Sequence, residues 1–145
     1  MTVEELNLEP DVEAKARELK QRASSVVFTS GRRTVEAQCS AMAQNTIQAG
    51  RGWIRATYAS SEPREALIGW MHAHPEADTR EELAKGFAGV LRQFTPAELS
   101  HLSKHLGGRA FDVQPRSCKI ADLRALRPRK LIQSEGGLVR WHVDF

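Results

Sequence analysis

Ser103-Lys104-His105-Leu106-Gly107-Gly108-Arg109-Ala110-Phe111-Asp112 is the stretch at which the chain changes character. Upstream of it, apolar residues recur at helical spacing among Glu, Lys, Arg and Ala. Downstream, RAFDVQP (109–115) reads as a strand, SCKIADLRALRP (117–128) as a helix, and KLIQSE (130–135) with LVRWHVDF (138–145) as the two arms of a hairpin. Gly107 and Gly108 are expected to end the helix before them, which places His105 in a turn and lets Asp112 project from the following strand. The expected fold class is therefore α+β: a single domain over residues 1–145, with a small antiparallel sheet carrying the chemistry, flanked by several N-terminal and central helices.

Working outward toward the N-terminus, residues 1–10 are acidic and expected to be loose. Helix formers over Val12–Ala23 predict a first helix, and SSVVFTSG (24–31) a short strand. The Ala- and Gln-rich run from Thr34 to Ala49 predicts a second helix closed by Gly50. Pro63 followed by Ala66, Leu67, Trp70 and Met71 predicts a third over Glu62–His74, stopped by Pro75. Thr79 with Glu82 has capping-box spacing before the stripe Leu83, Phe87, Val90 and Leu91, and Thr95-Pro96 with Glu98 repeats it ahead of a short helix reaching about His101. The helices over 62–94 are read as an insertion into the domain.

A 145-residue chain with 41% hydrophobic residues can bury one ordinary core, which excludes a fibre or a disordered tail. Its formal charge of +3 and isoelectric point near 9.1 make the surface mildly basic, suited to an anionic partner such as cell wall or nucleic acid. Cys39 and Cys118 are too few and too far apart for a disulfide scaffold or a thiolate metal site, which suggests synthesis in a reducing compartment. No apolar run has the length of a membrane span, and the start MTVEELNLEPDVEA lacks the features of a signal peptide. The expectation is a protein made in the cytoplasm, without membrane insertion, that reaches any external target after release.

His105 and Asp112 are suitable zinc donors, an imidazole and a carboxylate, but two ligands do not make a stable site. A third is offered by the last strand, where alternation puts Val139, Trp141, Val143 and Phe145 on one face and Arg140, His142 and Asp144 on the other. The competing reading is that His105 caps a helix and Asp112 makes a local hydrogen bond.

Ser103, His105, Gly108, Ala110 and Asp112 together match the signature of the zinc D-Ala-D-Ala carboxypeptidase and peptidoglycan endopeptidase family, which includes VanY-type peptidases and phage endolysins and shares its fold with the hedgehog signalling domain. Trp141-His142-Val143-Asp144 resembles the family's final zinc-histidine strand. Thr29-Ser30-Gly31-Arg32-Arg33, followed by Gln38, resembles its upstream Ser-Gly-Tyr-Arg segment. The span from Arg33 to His105 is longer than in the family, and that from Asp112 to His142 shorter. The resemblance implies Zn2+ held by His105, Asp112 and His142 with water at the fourth position, and Arg33 contacting a substrate carboxylate. A plain surface ion pair is the alternative for Arg33. It further implies a monomeric metallopeptidase, a hydrolase degrading bacterial peptidoglycan peptides rather than binding nucleic acid, of the bacteriolytic phage endolysin type. A D-Ala-D-Ala carboxypeptidase and a non-catalytic zinc-bearing wall-binding module remain as alternatives.

Hydrolysis also wants a carboxylate to take the proton of the water. Glu135 ends a segment resembling the strand that carries the catalytic Glu in some phage members; where other members have that Glu, three residues before the last histidine, this chain has Val139. Two hairpins are open. A two-residue turn at Gly136-Gly137 pairs Glu135 with Leu138 and leaves it about 13 Å along the strand from His142, whereas a wider turn near Leu138 and Val139 puts it opposite His142. Catalysis by Glu135 requires the second. Asp144 is the fallback, either as base or as a group behind the metal ligand.

Overall fold

The computed structural model describes residues 1–135 and 138–145. Among them the fold is α+β, with one four-stranded antiparallel sheet, and the chain forms two compact units. One comprises Met1–Arg32 with Gly107–Phe145, the other Arg33–Leu106.

The first unit opens with a 3-10 turn over Glu4–Leu6 and helix α1 over Pro10–Arg22, followed by strand β1 over Phe28–Ser30. Pro10 at the head of α1 needs no backbone donor there, and Val12, Ala16 and Leu19 form its buried stripe. The N-terminal ten residues are not loose, in correction of the reading from sequence. Val3, Leu6 and Leu8 are buried, and Asn7 in the left-handed conformation (φ 50°) turns the chain so that Leu6 and Leu8 both reach the core. Strand β2 over Ala110–Val113, strand β3 over Lys130–Glu135 and strand β4 over Leu138–Asp144 complete the sheet in the order β1-β2-β4-β3. The short helix Ile120–Ala125, numbered α7 in chain order, adds Leu123 to a core with Phe28, Phe111, Val113 and Val143.

The second unit is helical: α2 over Val35–Ala49, α3 over Trp53–Thr57, α4 over Glu62–Ala73, α5 over Arg80–Leu91 and α6 over Pro96–Leu99. The helical segment read from the sequence at 62–94 is part of this larger body. Thr34, Ser61, Thr79 and Thr95 each accept a backbone N–H of the first turn, and Thr95 with Glu98 forms a reciprocal capping box. Gly50 ends α2 at φ 99°, a conformation that L side chains avoid. Met42, Ile54, Leu67, Leu83, Phe87 and Leu91 form this unit's core. Helix α6 stops at Leu99 and is followed by turns, so Gly107 and Gly108 do not end a helix as expected. Gly108 has a different reason: at φ 71° any Cβ would lie 2.5 Å from the Arg32 guanidinium, which occupies that space.

Strand β4 departs from simple alternation. Ile132 pairs with His142 but Ser134 pairs with Val139, so β4 carries one extra residue between these pairs. Such a bulge reverses which face each residue occupies. Trp141 and Val143 pack on the core as expected, while Val139 is 70% exposed instead of buried.

Candidate metal centre

Asp112 lies in the middle of β2, all of which is buried, and pairs directly with His142 of β4 across the antiparallel ladder. Pairing brings the two side chains to the same face. His142 donates from Nδ1 to Asp112 Oδ1 at 2.8 Å. His105 comes from the turn two residues before Gly107, where Leu106 N–H closes onto Ser103 C=O at 3.1 Å and the His105 carbonyl accepts Arg33 N–H at 3.1 Å. Ser103 thus shapes the loop. His105, in the helical unit, is 8% exposed, and in the sheet unit Asp112 is 7% and the His142 side chain 12% exposed. This is the trio singled out from the sequence.

The chemistry of the donor set fits a small divalent ion. Two imidazoles and one carboxylate are ordinary zinc donors, and three protein ligands leave a coordination position for water. The group could hold a metal ion.

Behind His142 stands a second carboxylate. His142 Nε2 donates to Asp144 Oδ2 at 3.2 Å, and Arg129 Nε donates to Asp144 Oδ1 at 2.8 Å. Burial works against a charged imidazole at His142, but hydrogen bonds and attraction from Asp112 and Asp144 outweigh it, and its pKa is pushed up to about 9. Burial likewise opposes the Asp144 carboxylate, yet hydrogen bonds from His142 and Arg129 prevail and hold its pKa below the ordinary value. Without metal, His142 is therefore an imidazolium between two aspartates at neutral pH. Arg129 was not found in the sequence reading: it meets Asp144 only through sheet register, which local pattern does not reveal.

Glu135 is the residue expected as base. It pairs with Leu138, and the residue opposite His142 is Ile132. The intervening strand positions put the Glu135 backbone about 10–13 Å along the strands from the level of His142. The turn once considered at Gly136-Gly137 lies outside the described residues. Arg33 is half-buried, and its Nη1 donates to Gln38 Oε1 at 3.0 Å while Gln38 Nε2 donates to the Tyr58 hydroxyl at 2.9 Å. The Arg33 guanidinium is thus held by the Gln38 of the upstream segment. His72 and His74 play no part in the trio: α4 ends at Ala73, and His74 stacks on Trp70 with centroids 4.4 Å apart.

Comparison with protein-family models, with curated proteins and with solved structures finds no match.

Proposed function

We propose that the chain is a zinc-dependent peptidase acting on the stem or cross-link peptides of bacterial peptidoglycan. The observation that carries the reading is the pairing of Asp112 with His142, whose side chains meet at 2.8 Å on one face of the sheet and supply two of the three expected ligands. The order and spacing of Ser103, His105, Gly108, Ala110 and Asp112 in the signature over 103–112 support the substrate class. When bound, zinc would polarise the scissile carbonyl and acidify a water at its open position. The chain's own residues do the rest. His105, Asp112 and His142 would hold the ion, and their single negative charge would leave the centre at one plus and electrophilic. Arg33, kept in place by Gln38, offers a planar fork for a peptide carboxylate. With Glu135 paired to Leu138, no role as base is assigned to it.

That same pairing favours a second reading, a zinc-bearing module that binds wall peptides without cleaving them, because the backbone partner of His142 on β3 is Ile132 and not the expected base. One experiment separates the two: incubation of the purified protein with defined peptidoglycan, with and without chelator, and mass analysis of soluble fragments. The peptidase reading expects peptide-bond products that vanish with chelator and return with zinc. Co-sedimentation with the wall and no products from zinc-loaded protein would select the binding module.

A further inference from the structure

We infer that Asp144, braced by Arg129, is a positioning residue of the metal centre that decides which nitrogen of His142 faces the ion; this rests on the reading that His105, Asp112 and His142 hold zinc. The two ring nitrogens of His142 have different neighbours. Nδ1 lies 2.8 Å from Oδ1 of Asp112, itself a ligand, and Nε2 lies 3.2 Å from Oδ2 of Asp144. Two donor atoms on one tetrahedral zinc are about 3.3 Å apart, so Nδ1 and Asp112 Oδ1 need to separate by only about half an ångström to share an ion. Nε2 is directed away from them.

Asp144 is built to stay where it is. It is 3% exposed, its Oδ1 accepts from Arg129 Nε at 2.8 Å, and its main-chain carbonyl accepts Arg129 N–H at 2.8 Å. Its backbone is paired on both sides, with Ala110 in β2 and Lys130 in β3. A neutral imidazole has one proton to place. On Nε2 that proton donates to Asp144 and leaves the Nδ1 lone pair for the metal. On Nδ1 it would point at the metal and set the Nε2 lone pair against a carboxylate oxygen. Asp144 therefore selects the first tautomer, fixes the ring plane and makes Nδ1 a better donor, as a carboxylate behind a metal-bound histidine does generally.

The test combines binding with spectroscopy on the full chain. Zinc affinity is measured by chelator competition for the wild type and for Asp144→Asn, Arg129→Ala and Arg129→Lys. Side-chain 15N spectra of His142 in the zinc-loaded wild type, which need no variant to fold, locate its proton. The expected result is a proton on Nε2 with zinc on Nδ1, a 10- to 100-fold loss of affinity in Asp144→Asn, a smaller loss in Arg129→Ala and its partial recovery in Arg129→Lys. Zinc on Nε2, or a folded Asp144→Asn protein with wild-type affinity, overturns this assignment while leaving the metal site. A wild-type chain that takes up no zinc overturns the metal site and the assignment with it.

Discussion

Because His142 is held as an imidazolium by Asp112 and Asp144, zinc must displace its proton, and pH is the cleanest perturbation of the centre. With the pKa pushed up to about 9, binding one metal below that value releases one proton from His142. Apparent zinc affinity should therefore rise about tenfold per unit, or about 100-fold from pH 6.5 to 8.5. Competition against a chromophoric chelator at buffered free zinc measures it, and calorimetry in buffers of different ionisation enthalpy counts the proton. The same linkage acts on the metal-free fold with the opposite consequence. His142 has a folded pKa raised from 6.5 to about 9, so its contribution is complete below about pH 6.5 and disappears as pH rises through about 9. That displacement corresponds to at most about 3 kcal/mol, readable as a falling urea midpoint in the presence of chelator. Affinity changing by less than about threefold over the window would show that His142 does not give up a proton to bind metal, and would refute the reasoning.

Three substitutions probe other parts of the account. Glu135→Gln should leave zinc content and peptide hydrolysis within about twofold of wild type, because a positioned base would be worth about 10²–10⁴ and Glu135 pairs with Leu138 instead; a loss of that size in single-turnover assays would return Glu135 to the site. Arg33→Ala should raise KM for a stem peptide by about tenfold, the loss of one charge-assisted contact, with zinc content unchanged; unaltered kinetics would assign Arg33 to packing with Gln38. Gly86→Ala should destabilise the helical unit by about 1–3 kcal/mol, since a Cβ there would overlap the Trp70 indole, and thermal unfolding followed by Trp fluorescence would detect it; an unchanged midpoint would mean that Trp70 moves aside freely.

Much of this was legible before the structure, and the parts that were not share a physical cause. Thr79 and Thr95 announced helix starts because capping is a local interaction written into four consecutive residues. His105, Asp112 and His142 were legible because donor type and strand alternation suffice to bring them forward. The exposure of Val139 was not, since one extra residue in β4 reverses alternation and leaves no mark in the residues themselves. Arg129 and Asp144 meet through register across β3 and β4, a relation set by the whole sheet. At the N-terminus the acidic residues concealed Val3, Leu6 and Leu8, whose spacing matches neither a helix nor a strand but a 3-10 turn followed by a left-handed Asn7. Helix α3, five residues long, is too short for a periodic signal.

Zinc stoichiometry is the most direct test of the central claim, measured by inductively coupled plasma mass spectrometry on the wild type and on His105→Ala, Asp112→Ala and His142→Ala after exposure to a slight excess of zinc and desalting. The account predicts about one zinc per wild-type chain and a sharp loss in each variant, because three ligands leave no redundancy. A wild type that emerges without zinc, or a His142→Ala protein that retains a full equivalent, would contradict it.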